Sequence, residues 1–189
     1  RENFAKPFEA AIRKAGLKSI MNSYSEYDGE TICASKHILT DLLRDDLGFD
    51  GAVVSDYSSL IRIKDNSRMA EDYQQAGILA LKAGIDVELP KAVCYGSNLL
   101  QAVKEGKIEE KYVNTAVKRV LKLKFELGLF EKPYCEYKEL DCLKCYQLSE
   151  KMTEKSITLT KNDGILPLTD RKIKVAVIGP TGDNLRMLS

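Results

Sequence analysis

Apolar positions along the chain fall into helical stripes separated by short continuous runs. Phe8, Ala11, Ile12 and Ala15 recur at helical spacing. Pro7 suits the first turn of that helix, where a missing N–H costs nothing, and Gly16 suits its stop. Residues 18–24 read as a short strand around Ile20 and Met21. Ser35 stands where a cap belongs, ahead of a helix whose buried face is Ile38, Leu39, Leu42 and Leu43 and which ends at Leu47-Gly48. The run Gly51-Ala52-Val53-Val54-Ser55-Asp56 does not alternate, as expected of a strand covered on both faces. A helix over 69–83, closed by Gly84, leads to a third strand over 85–89, which Pro90 stops. Leu99, Leu100 and Val103 mark another helix before Gly106. Val113, Val117, Val120, Leu121 and Leu127 mark a long one that stops at Gly128.

This order, helix and strand in turn, predicts an α/β fold with a parallel sheet and crossover helices. The character changes at Glu131. Residues 131–146 contain Pro133 and no apolar periodicity, so they read as a linker lying over a surface. A helix near 148–157, a turn at Lys161-Asn162-Asp163-Gly164 and an apolar strand, Val175-Ala176-Val177-Ile178, follow. A lone strand cannot bury itself, so that last run predicts the opening of a further sheet.

Composition narrows the classes. A hydrophobic share of 44% with 30% charged residues is that of a globular chain rather than a disordered one. Lys+Arg 29 against Asp+Glu 28 leaves no basic field, so neither nucleic acid nor a membrane is an expected partner. No apolar run approaches the ~20 residues of a membrane span. Five cysteines, an odd number without a dense framework, lead us to expect free thiols and a reducing, cytoplasmic setting. Cys142 and Cys145 form a C-x-x-C pair with Cys135 nearby, but structural zinc wants four ligands and the sole histidine is His37. No metal is expected.

Asp56 sits where a buried parallel strand emerges, the end at which α/β folds bind ligands. There a carboxylate can act as nucleophile, base or metal ligand, or simply cap the next turn. Tyr24 ends the preceding strand; its ring can pack on a sugar and its hydroxyl can orient a carboxylate, or it can be a core tyrosine. Tyr57 can wall a pocket or merely pack. Glu88 can join a polar ring at the strand ends or form a salt bridge. Ile178-Gly179-Pro180-Thr181-Gly182 lacks the spacing of a phosphate-binding turn. His37 reads as an exposed, silent side chain.

Taken together, several of these segments are similar to those of a known family. Met21-Asn22-Ser23-Tyr24, Asp28-Gly29, Leu39-Thr40-Asp41-Leu42-Leu43-Arg44, Gly48-Phe49-Asp50-Gly51 and Val53-Val54-Ser55-Asp56-Tyr57 resemble the later part of the catalytic barrel of glycoside hydrolase family 3. Ala83-Gly84-Ile85-Asp86, Glu88-Leu89-Pro90, Ala116-Val117-Lys118-Arg119-Val120-Leu121, Leu127-Gly128-Leu129-Phe130-Glu131, Lys161-Asn162-Asp163-Gly164-Ile165-Leu166-Pro167-Leu168 and Val177-Ile178-Gly179-Pro180 continue the match in order. The resemblance implies the last three strands of a TIM-like (β/α)8 barrel over 1–130, a linker over 131–153 and the start of an α/β sandwich over 154–189. It implies a retaining exo-β-glycosidase of β-glucosidase type, forming a covalent glycosyl–aspartate on Asp56, with Tyr24 beside the nucleophile and Tyr57 on the sugar subsite wall.

In that mechanism two carboxyl groups stand ~5–5.5 Å apart, and water and the β-glycoside are the only reactants, so no cofactor is implied. The family's acid/base glutamate and its sugar-gripping Lys-His pair belong to segments outside this sequence. The 189 residues alone are therefore expected to be an inactive, association-prone part of a larger hydrolase, of open oligomeric state. The alternatives are β-xylosidase or β-N-acetylglucosaminidase activity, a non-catalytic sugar-binding barrel, and a phosphate-binding enzyme using the Gly179 turn.

Overall fold

The structure is a computed structural model that describes residues 3–137, 142–168 and 172–183. The chain divides into two compact units, with the boundary after Cys135. In the first, helix α1 (Ala5–Ala15) leads to strands β1 (Ser19–Met21), β2 (Glu26–Tyr27) and β3 (Glu30–Thr31). Then come the wide-wound helix α2 (His37–Asp46), strand β4 (Ala52–Val54) and helices α3 (Ser59–Asp65), α4 (Tyr73–Ala83), α5 (Ser97–Lys104) and α6 (Glu110–Glu126). The second unit contains helix α7 (Cys142–Ser156).

β1 and β4 are parallel, with Ser19, Ile20 and Met21 opposite Ala52, Val53 and Val54. Val54 makes one further parallel bridge to Val87. The Ser55 N–H donates to the Val87 carbonyl (2.8 Å) and the Asp86 N–H to the Val53 carbonyl (2.8 Å). Three parallel segments thus lie side by side in the order β1, β4, 85–88. Ala52 and Val53 are buried, as the unalternating apolar run requires. Gly51 lets β4 enter the sheet: a Cβ there would stand 2.2 Å from the Lys18 carbonyl oxygen.

The core gathers Leu39 and Leu43 of α2, Val53, Leu60 and Ile63 of α3, Ala76, Ala80 and Ala83 of α4, and Ile85. A smaller cluster joins Leu81, Leu99, Ala102, Ile108 and Ala116. An ion network centred on the buried Asp86 joins the sheet to its helices. Asp86 accepts from Arg44 (2.9 Å), from Arg119 (3.0 Å) and from the backbone N–H of Val53 (2.8 Å). Arg44 also donates to the Gly51 and Gly84 carbonyls. One carboxylate therefore ties β4 to α2, α6 and its own segment.

Several expectations change. The strand predicted over 85–89 contributes one bridge, because the Leu89 N–H leaves the ladder for the Ser55 hydroxyl (2.8 Å) and the Ile85 N–H closes α4 on Ala80. The helix expected from Met69 starts at Tyr73, where Asp72 caps it by accepting from the Gln75 N–H (2.7 Å). α3 and the β2–β3 hairpin were not foreseen. α7 begins at Cys142, so much of the segment read as linker is helical. Val175-Ala176-Val177-Ile178 forms no strand among the described residues; its side chains are exposed, with no described neighbour to pair with. In α6, Val117 and Leu121 of the expected stripe are exposed, as is Leu127 just past its end, and Ala116 turns inward instead.

Candidate active site

β1 and β4 deliver their chemistry at the same end. Asn22 follows β1 directly, and Asp56 lies two residues beyond β4. The Asp56 backbone N–H donates to the side-chain oxygen of Asn22 (3.1 Å). The Asp56 carboxylate accepts from the Tyr57 N–H (2.7 Å), and its carbonyl accepts from the Ser59 N–H (3.1 Å), which opens α3. The sharp turn needs a left-handed residue, and Ser58 supplies it at φ +62°. The Ser58 N–H is held by the Leu89 carbonyl (2.9 Å). Asp56 is half-buried, so the carboxylate is fixed at its base and open toward solvent.

Tyr24 reaches over this turn, its hydroxyl donating to the Tyr57 carbonyl (2.6 Å). Its phenol titrates above the ordinary tyrosine value. Interaction with the neighbouring Asp56 side chain is the largest cause, then burial, then the Asp56 charge; Arg62 acts in the opposite direction. The Arg62 guanidinium lies over the Tyr24 ring, 4.1 Å from its centre. Tyr24 therefore stays protonated and keeps its donation to the Tyr57 carbonyl. Tyr57 follows Asp56 and is exposed, in a position to face a ligand.

The structure thus brings Asp56, Tyr24 and Tyr57 together. It does not bring Glu88 to them: both its oxygens are taken by the N–H groups of Cys94 (2.9 Å) and Tyr95 (2.7 Å), so it shapes the loop after Pro90. His37 is exposed, near Asp41 on its own helix. The Gly182 N–H is spent on the Gly179 carbonyl (3.1 Å) within its own turn. Cys135 and Cys145 are free and exposed; the side chain of Cys142 lies outside the described residues. Sequence reasoning missed Asn22 and Arg62, since nothing local announces an amide or guanidinium that acts across 34 and 38 residues.

Residues 1–123 match the model of the Glycosyl hydrolase family 3 N terminal domain. The chain belongs to glycosyl hydrolase family 3. A β-xylosidase of Formosa agariphila is 37% identical over 98% of this chain and 27% of its own length. A β-glucosidase of Rhizobium radiobacter is 34% identical over 100% of this chain and 22% of its own. A solved β-glucosidase of Erythrobacter marinus superposes with a TM-score of 0.66 at 43% identity, covering 68% of this chain and 17% of that one. The chain spans about a quarter of the length of the curated relatives it matches.

Proposed function

We propose that this chain forms part of a retaining β-glycosidase in which Asp56 is the nucleophile. The observation that carries the reading is the Asp56 carboxylate at the carboxyl end of β4, fixed at its backbone and faced by a protonated Tyr24. The parallel segments β1, β4 and 85–88 are read as neighbouring strands of a (β/α)8 barrel, whose active sites open at this end.

The chemistry follows. Asp56 attacks the anomeric carbon as the C–O bond to the leaving group breaks, giving a glycosyl–aspartate that water then hydrolyses. The Tyr57 N–H holds the attacking carboxylate, and Tyr24 holds the Tyr57 carbonyl of the same turn, through each step. A second carboxyl group must protonate the leaving oxygen and later activate water; none in this chain is assigned that role.

The terminal sugar is read as β-glucose. β-Xylose, which shares its ring stereochemistry and lacks only the hydroxymethyl arm, is the second reading, favoured by the naming of the Formosa relative. The test is incubation of the full-length protein with a 2-deoxy-2-fluoro-β-glucoside bearing a good leaving group, followed by peptide mapping. A glycosyl adduct on Asp56 is the expected result. An adduct only with the xylose analogue moves the specificity to xylosides, and no adduct with either rejects the reading.

A further inference from the structure

Asn22 is 4% exposed, and both ends of its amide are hydrogen-bonded. Its oxygen accepts from the Asp56 N–H (3.1 Å) and from the Ser59 hydroxyl (3.1 Å), while its nitrogen donates to the Ser23 carbonyl (2.8 Å). Rotating the amide would set its N–H groups against the Asp56 N–H, which can only donate, and would bring the oxygen against the Ser23 carbonyl, so the side chain has one usable orientation. Two residues on, Tyr24 holds the Tyr57 carbonyl. Both residues, just past the end of β1, grip the turn that carries Asp56.

We infer that Asn22 is a positioning residue for the Asp56 carboxylate, setting its approach to the sugar through the Asp56 backbone rather than by touching substrate. The inference rests on Asp56 being the nucleophile. Without the amide oxygen, the Asp56 N–H and the Ser59 hydroxyl lose their shared acceptor, and the turn must shift to find others. A nucleophile displaced by about 1 Å loses roughly a hundredfold in rate, while ground-state sugar contacts made elsewhere are kept.

The test compares Asn22→Ala and Ser59→Ala with the wild type in the full-length protein, using the same 2-deoxy-2-fluoro-β-glucoside and, in parallel, its xylose analogue. The readouts are the maximal rate of Asp56 labelling and the half-saturating concentration. Asn22→Ala is expected to lower the maximal rate about a hundredfold and leave half-saturation within about twofold. Ser59→Ala removes only the other bond to the same oxygen; it is expected to lower the melting temperature with labelling within about twofold of wild type. If Asn22→Ala does not fold, Asn22→Ser, too short to reach the Asp56 N–H, carries the same expectation. Wild-type labelling rates in the Asn22 variants overturn the inference and leave the nucleophile reading intact. So does a rate loss that Ser59→Ala reproduces, for then general loosening is the cause. A wild type labelled by neither sugar overturns the nucleophile reading, and this inference with it.

Discussion

Around Asp56, single side chains set the chemistry in ways that single substitutions can read. Tyr24→Phe removes the hydroxyl that donates to the Tyr57 carbonyl (2.6 Å) and braces the turn carrying Asp56. Without that brace the carboxylate is less well placed, so the labelling rate at Asp56 should fall by up to roughly a hundredfold. Ser58 is a different case, since its side chain makes no capping bond and its backbone is left-handed at φ +62°. That conformation costs a non-glycine residue about 1–2 kcal/mol, and glycine returns about 0.5–1 of this through its freer unfolded chain. Ser58→Gly should therefore raise the melting temperature slightly, by roughly 0.5–1 kcal/mol of stability. Tyr95 sets a pH dependence. Burial is the largest cause of its raised pKa, followed by the charges of Asp86 and Glu88, and its hydroxyl donates to the Ile85 carbonyl (2.7 Å). The folded state keeps this proton where the unfolded chain, near pH 10, has released it. The stability it lends is complete below about pH 10 and drains away as the pH climbs further. Urea titrations from pH 8 to 11 should show that decline, and Tyr95→Phe should flatten it.

At the scale of elements, the network on Asp86 holds the sheet to its helices. Its side chain is 1% exposed and that of Arg44 7%. Asp86→Asn leaves Arg44 a buried cation without its counter-charge, a loss of about 3–5 kcal/mol, measurable as a fall in the urea midpoint. The expected effect is on stability first, because the Asp86 carboxylate bonds the Val53 N–H within the sheet rather than any group of the turn that carries Asp56. This division also explains what was legible in the sequence. Ala52-Val53-Val54 spelled out a doubly covered strand, and the placement of Asp56 just beyond it followed; the strand expected over 18–24 stops at Met21, so Tyr24 lies in a bend three residues past its end. The β2–β3 hairpin was missed because Glu26, Tyr27, Glu30 and Thr31 are two-residue strands with no apolar run. Its signal was the Asp28-Gly29 turn, which takes up φ +50° and +80°. α3 was missed because its seven residues are too short for a periodicity to show. Glu88 looked like a site residue because its position is a strand end; only the path of the loop after Pro90 reveals that its oxygens face backbone N–H groups. Asn22 was invisible as a partner of Asp56 because the contact depends on the parallel register of β1 against β4.

For the whole molecule, the sheet itself argues for what the isolated chain should do. Among the described residues β1 pairs only with β4, and the 85–88 segment only with β4, so both outer edges present unpaired backbone groups. Such edges template pairing with other chains unless something covers them. The surface adds to this: Phe125 and Phe130 stack on each other at 4.4 Å between ring centres and are both largely exposed. In the second unit Val175, Val177 and Ile178 are exposed as well. Burying apolar surface is worth about 25 cal/mol per Å², so exposed rings and strands favour association over a dilute monomer. We therefore expect the purified 189-residue chain to elute as concentration-dependent oligomers, to bind a hydrophobic dye, and to leave Asp56 unlabelled by the fluoro-glucoside. In the full-length protein the same edges and faces should be covered, and Asp56 should label. The decisive comparison is sedimentation of the isolated chain across a tenfold range of concentration, alongside a thermal melt. A single monomeric species with a sharp two-state transition would mean that three parallel segments and their helices close a stable core unaided, and the open edges would then need another explanation.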